Sequence, residues 1–220
     1  MYAMLGIIQQ AANNIDRLYH CDDNANKNYE VNKDTLAAIN TVTSISTRPL
    51  GIGGIAKRLY HSDFNTHKLY ELNIDTLASI NDVTPAFTYS PGIGGMNKRL
   101  FVTDAGATKI HELNVDTLAS INDDTSSESA PKGIGGIRNK LYYCDTTGDV
   151  NHEINPDTFA NISNTYSPGS TPYGIGGIGN RLYHCDSALD KLYELNISTM
   201  AVLDTYDSID SIPTGIGGVK

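Results

Sequence analysis

Residues 49–81 read Pro49-Leu50-Gly51-Ile52-Gly53-Gly54-Ile55-Ala56-Lys57-Arg58-Leu59-Tyr60-His61-Ser62-Asp63-Phe64-Asn65-Thr66-His67-Lys68-Leu69-Tyr70-Glu71-Leu72-Asn73-Ile74-Asp75-Thr76-Leu77-Ala78-Ser79-Ile80-Asn81. Its punctuation marks four short segments, Gly51 to Ile55, Arg58 to Asp63, Lys68 to Asn73 and Thr76 to Asn81. Each is of strand length, none approaches the ~11 residues of a typical helix, and Leu-Tyr, Ile, Val and Thr dominate. Ala56-Lys57 and Ile74-Asp75 read as tight links, which make consecutive strands antiparallel hairpin neighbours.

The unit recurs. Gly-Ile-Gly-Gly starts at Gly51, Gly92, Gly133, Gly174 and Gly215, a constant step of 41 residues. The same step links Leu18 through Leu182, Asp22 through Asp186, Glu30 through Glu194, Asn32 through Asn196 and Thr35 through Thr199. A four-stranded antiparallel unit every ~40 to 45 residues is the mark of a β-propeller blade. The chain is therefore expected to be all-β, a five-bladed β-propeller of four-stranded antiparallel blades, with residues 18–220 as one domain and residues 1–17 as an N-terminal extension.

Glycine is architectural here, since 15 of the 20 glycines lie in the repeated motif. Inner strands crowd at a propeller axis, where a residue without Cβ permits close backbone approach. The first unit has Gln10-Ala11-Ala12-Asn13 where the others have the motif, and an orphan copy, Gly215 to Val219, ends the chain. That copy is expected to close the ring as the inner strand of the first blade, removing an open edge. The rival inner strand is Leu5-Gly6-Ile7-Ile8 with a longer hairpin loop; the intact glycine pattern favours the C-terminal segment.

Composition narrows the function. With 16 basic against 25 acidic side chains the formal charge is −9, which repels phosphate backbones and offers no polybasic segment for anionic lipid. Nucleic acid is excluded as an expected partner. The longest apolar run, Met1 to Ile8, is too short to span a bilayer and lacks the basic n-region of a secretory signal. Its burial against a second chain would make it a self-assembly element. The three cysteines sit in different units and read as small buried residues interchangeable with Ser62 and Thr103.

Four antiparallel strands put the repeat-invariant turns on one face. The second-to-third and inter-blade links lie on the other, where Thr41–Leu50, Asp82–Pro91, Asp123–Lys132, Asn164–Tyr173 and Thr205–Thr214 differ most between units. Rigid scaffolds commonly carry function on such loops. Aromatic residues there, Phe64, Phe87, Tyr89, Tyr166, Tyr173 and Tyr206, are suited to stack on a sugar ring or fill a partner's pocket, or alternatively to roof the gaps between blades. Tyr19, Tyr60, Phe101, Tyr142 and Tyr183 repeat with a strand and read as core.

Near-identical units present five copies of each side chain, whereas catalysis needs unlike groups in defined roles, so repetition favours binding. The repeated Asp and Glu sets read as turn and inter-blade hydrogen-bond acceptors rather than cation ligands or acid–base groups. His20-Cys21 and His184-Cys185 are neighbours in strands, whose successive side chains point to opposite faces, so neither pair converges on one ion. No catalytic residue, metal site or cofactor is assigned. Gly174-Ile175-Gly176-Gly177-Ile178-Gly179 matches the dinucleotide fingerprint formally, but a strand follows it in place of the required helix. Asn161-Ile162-Ser163 and Asn196-Ile197-Ser198 are glycosylation sequons.

Pro49-Leu50-Gly51-Ile52 through Arg58-Leu59-Tyr60, with Phe101-Val102-Thr103-Asp104 and Leu72-Asn73-Ile74-Asp75-Thr76, resembles the YVTN-type β-propeller repeat, close to the NHL type. The resemblance implies a propeller, often extracellular or at the cell surface, with no single shared activity. Five units and a short first hairpin depart from that family, so the sugar-lactone chemistry of some of its members does not carry over. Together these features point to a non-enzymatic module that binds a glycan or protein through its variable-loop face. The alternatives are a hydrolase or lactonase acting at the channel mouth and a purely structural scaffold, natural or designed.

Overall fold

The computed structural model describes residues 16–87 and 89–220, and these form 20 β-strands and no helix. The first blade holds β1 (Arg17–Asp22), β2 (Lys27–Val31) and β3 (Ala38–Thr43). Blade 2 is β4 (Pro49–Ile55), β5 (Arg58–Asp63), β6 (Leu69–Leu72) and β7 (Ser79–Val83). Blade 3 is β8 (Ile93–Met96), β9 (Arg99–Asp104), β10 (Lys109–Leu113) and β11 (Ser120–Thr125). Blade 4 is β12 (Pro131–Ile137), β13 (Lys140–Asp145), β14 (Val150–Ile154) and β15 (Asn161–Tyr166). Blade 5 is β16 (Pro172–Ile178), β17 (Arg181–Asp186), β18 (Lys191–Leu195) and β19 (Val202–Asp207), and the chain ends in β20 (Pro213–Val219).

β20 pairs antiparallel with β1, giving a first sheet ordered β20-β1-β2-β3. Leu18 faces Gly218 and His20 faces Ile216 in that register. The ring is thus closed as the glycine pattern predicts. The rival segment Leu5 to Ile8 and the proposed assembly segment Met1 to Ile8 lie outside the described residues.

Strand alternation builds the core between blades rather than within them. In β1, Leu18 turns toward blade 5 and joins Ile178, Tyr183 and Leu192, while Tyr19 turns toward blade 2 and joins Leu59, Tyr70 and Leu77. The same alternation gives one apolar cluster at each of the five blade interfaces. Tyr19, Tyr60, Phe101, Tyr142 and Tyr183 are all completely buried.

Two expectations about the hairpins need correction. The fourth strand of blade 2 starts at Ser79, later than Thr76, and the link before it is Asn73–Ala78 rather than the tight pair Ile74-Asp75. Asn73 organises this loop: its Oδ1 accepts the N–H groups of Asp75 and Thr76, each at 2.9 Å, and its carbonyl accepts the Leu77 N–H at 2.8 Å. Leu77 takes φ +56°, a region that costs a bulky L-residue about 1 kcal/mol. That conformation drops its side chain into the blade 1–2 cluster, where burial contributes about 2 kcal/mol and offsets the strain. Leu36, Leu118, Phe159 and Met200 do the same in the other blades.

The repeated acids are structural acceptors. Asp63 Oδ1 accepts Thr66 N–H at 2.6 Å, Asp104 Oδ1 accepts Ala107 N–H at 3.1 Å, and Asp186 Oδ1 accepts Leu189 N–H at 2.8 Å. The glutamates bind an arginine of their own blade, which reaches on to an aspartate of the next: Arg58 meets Glu71 at 2.7 Å and Asp116 at 2.6 Å, and Arg99 meets Glu112 at 2.7 Å and Asp157 at 2.6 Å. Blade 4 has Lys140, which bonds Glu153 at 2.7 Å, and Ser198 stands where its aspartate partner belongs. The double variant Lys140→Arg/Ser198→Asp completes the staple and is expected to add about 0.5 kcal/mol in a double-mutant cycle by urea unfolding. Additive single effects with no coupling would contradict this role.

Candidate functional site

The loops before the inner strands of blades 2, 4 and 5 are tied down by a shared device. The N–H groups of Arg48, Ala130 and Thr171 donate to Oδ2 of Asp63, Asp145 and Asp186 at 2.8, 2.8 and 2.7 Å. Blades 2, 4 and 5 follow this contact with a proline that starts the inner strand, at Pro49, Pro131 and Pro172. In blade 3 the proline stands one place later, at Pro91, and the inner strand shortens to the four residues Ile93–Met96. Tyr89, which aligns with Arg48, makes no such amide bond among the described residues, and its side chain turns to the axis.

There it meets three other blades. Tyr89 Oη lies 3.1 Å from Tyr173 Oη, and the Phe64 ring meets the Tyr89 ring edge-on at 5.1 Å between centroids. Lys132 Nζ donates to Tyr89 Oη at 3.0 Å and sits 4.7 Å from the Tyr89 ring centroid and 5.1 Å from that of Tyr173. The Arg48 guanidinium lies 4.4 Å over Phe64 and forks onto Asp23 at 2.7 Å. All five side chains are half-buried, and the two cations lie over ring faces, Arg48 over Phe64 and Lys132 over Tyr89 and Tyr173. Burial, with the Tyr89 hydroxyl beside it, pushes the Tyr173 phenol well above its ordinary range, so it stays a neutral hydroxyl. The hydrogen bond to Asp23 holds the Arg48 guanidinium charged.

Of the six aromatic residues singled out in the sequence, Phe64, Tyr89 and Tyr173 therefore converge. Phe87 is buried between blades 2 and 3 and stacks on His111 at 4.6 Å. Tyr166 stands apart at the end of β15, 82% exposed. Tyr206 packs against the blade 5–1 cluster, its hydroxyl donating to Asp204 at 2.9 Å. Lys132 and Arg48 were not singled out. The repeat holds the missing signal: Leu50, Pro91, Lys132, Tyr173 and Thr214 share the position before the first motif glycine, and Lys132 and Tyr173 alone among them are charged or aromatic.

The remaining candidate chemistry is absorbed by the scaffold. Cys21, Cys144 and Cys185 are free, fully buried thiols whose ionisation is suppressed by burial. Ser62 Oγ and Thr103 Oγ1, in the matching positions, accept the N–H groups of Gly51 and Gly92, each at 3.0 Å. His20 and His61 set Nδ1 against the carbonyls of Gly215 and Gly51, at 2.9 and 3.1 Å. No group of three or more His, Cys, Asp or Glu side chains is arranged to hold a metal among the described residues.

No family profile matches the chain, and no curated protein is similar to it in sequence. Solved structures share its fold. A nidogen/laminin complex aligns with TM-score 0.63 at 11% identity, over 93% of this chain and 98% of that one. Myxococcus xanthus glutaminyl cyclase aligns with TM-score 0.62 at 13% identity, over 77% of this chain and 69% of that one. Virginiamycin B lyase from Staphylococcus aureus aligns with TM-score 0.55 at 18% identity, over 88% of this chain and 67% of that one. At these identities the likeness is one of propeller fold, shared by enzymes and by a binding partner alike.

Proposed function

We propose that this chain is a non-enzymatic binding module, a YVTN-like propeller that engages a glycan through the axial mouth of its variable-loop face. The observation that carries this is the convergence of Phe64, Tyr89 and Tyr173 from three blades beside the half-buried Lys132. Aromatic faces present a flat apolar surface to the C–H face of a sugar ring, and the phenols and ammonium supply directional donors for its hydroxyls. The Tyr89 and Tyr173 hydroxyls hold one another, which pre-organises the surface and limits the ordering cost of binding. A protein loop inserted at the same mouth is the second occupant compatible with this chemistry. An extracellular or cell-surface setting suits a glycan ligand and agrees with the YVTN-type resemblance.

Screening the purified protein on a glycan array, beside Tyr89→Ala/Tyr173→Ala, tests this directly. At least tenfold weaker signal is expected in the variant, since each lost ring removes about 1 kcal/mol or more of stacking. Absence of any wild-type signal would remove the glycan and leave a protein ligand for this mouth.

A further inference from the structure

The opposite end of the axis holds a second concavity. Turns of blades 2 to 5 surround a depression of about 360 Å³, with Gly54, Gly95, Gly136, Gly177 and Gly218 in its floor. Ile55, Met96, Ile137 and Ile178 line it as well, each buried. Its rim carries Lys98, Arg138 and Lys220, and Lys57 follows the lining residue Ala56 in the same turn.

These cations are set apart from the rest of the molecule. Of the 16 basic side chains, 11 lie within 4.0 Å of a carboxylate. The other five are Lys57, Lys98, Lys132, Arg138 and Lys220, so four of the five belong to this one mouth. Residues 1–15 and Thr88 contain no acidic side chain, so the described residues include every Asp and Glu of the chain.

The carboxylates on this face are already engaged. Asp34, Asp75, Asp116 and Asp157 bind Arg181, Arg17, Arg58 and Arg99 in the inter-blade staples. Asp16, close to Gly179, is the acidic side chain left near the rim. Arg138 is braced by a 2.8 Å hydrogen bond from Nη2 to Asn180 Oδ1, and Asn97 donates to Asn139 at 2.7 Å beside it. The net charge of −9 opposes anions at long range, but remote carboxylates are screened beyond ~8 Å at physiological ionic strength, and the rim cations dominate close in.

We propose that this mouth binds a compact ligand carrying two or more phosphate or sulfate groups, its anionic groups on Lys57, Lys98 and Arg138 and its body over the glycine floor. The volume exceeds the ~30 Å³ share of one water many times over, which suits a polyanion larger than a single oxyanion. The site lies on the opposite face from the Tyr89 cluster and does not depend on it.

Calorimetric titration at 50 mM salt with pyrophosphate, and separately with a sulfated disaccharide, tests the assignment. One saturable site is expected for at least one probe, weakened at least tenfold in Lys98→Gln/Arg138→Gln and unchanged within twofold in Lys132→Gln and in Tyr89→Ala/Tyr173→Ala. The tighter probe identifies the source, phosphate ester or sulfated sugar. Circular dichroism of the Lys98→Gln/Arg138→Gln variant, whose substitutions lie at exposed turns, checks that the fold is intact. No saturable binding of either probe at millimolar concentration, or equal affinity in that variant, would overturn the proposal.

Discussion

Gly217→Ala is expected to destabilise the ring by about 3 kcal/mol or more, a fall of roughly 6–12 °C in Tm for a chain of this size. A Cβ on Gly217 would lie 2.6 Å from Ile52 O and 2.8 Å from Gly53 Cα. Both are main-chain atoms of the adjacent blade, so no rotamer change relieves the clash. Gly176 faces β20 in the same way, its Cβ 2.6 Å from Ile216 O. Gly148→Ala is the control: in the turn between β13 and β14 its Cβ would meet only Val150 Cγ2, at 3.2 Å, and a change within 0.5 kcal/mol is expected. Thermal unfolding of the two variants side by side gives the comparison. Equal Tm values would mean that the inner strands are not packed backbone to backbone.

Stability is expected to fall steeply between pH 6.5 and 4. His20, His61 and His184 are wholly buried, and burial pushes each imidazole down to about 4. Nδ1 of His61 donates to Gly51 O while Nε2 accepts from Ser46 Oγ at 2.9 Å, and Nε2 of His184 accepts from Ser167 Oγ at 3.0 Å. The carboxylates of Asp210, Asp63 and Asp186 oppose the downward shift but do not cancel it. Because the folded state holds protons more weakly than the unfolded chain, this stability is fully present above pH 6.5 and is lost as pH falls through 4. Each histidine accounts for about 3 kcal/mol, which for three sites is of the order of a domain's whole stability.

Asp22 works in the other direction. Burial, with the nearby Asp210, Asp190 and Asp23 carboxylates, raises its carboxyl to about 6, and its Oδ2 has no hydrogen-bond partner. Protonation below pH 6 relieves that cost and offsets about one histidine's share. The repeat supplies the control substitution, since the equivalent positions in blades 3 and 4 are Val102 and Tyr143. Urea unfolding at pH 7.0, 5.5 and 4.5 should show a slope that becomes shallower in His61→Val. A wild-type stability flat across that range would contradict the buried neutral imidazoles.

Much of the architecture was legible because it is written five times. The fixed step from Gly51 to Gly215 carried blade number and the closing strand, and the repeat of Tyr19, Tyr60, Phe101, Tyr142 and Tyr183 marked core positions, whereas their place between blades emerged only in the structure. What the spacing could not convey was local backbone conformation. Leu77 reads as part of a strand because it is apolar, yet it occupies the left-handed region within an Asn73-centred loop. The candidate site followed the same division. Phe64, Tyr89 and Tyr173 stood out as loop aromatics, but their convergence with Lys132 depends on the displaced Pro91 and the shortened β8, features of one blade against four others. Phe87 carries the same residue type in the same loop and is core, because it falls against His111.

The most direct test of the functional account is a glycan array probed with three proteins: wild type, Tyr89→Ala/Tyr173→Ala and Lys98→Gln/Arg138→Gln. Neutral-glycan signals are expected in the wild type, persisting in the Lys98/Arg138 variant and disappearing in the Tyr89/Tyr173 variant. Signals that survive loss of both tyrosine rings would contradict the assignment of ligand binding to the variable-loop mouth.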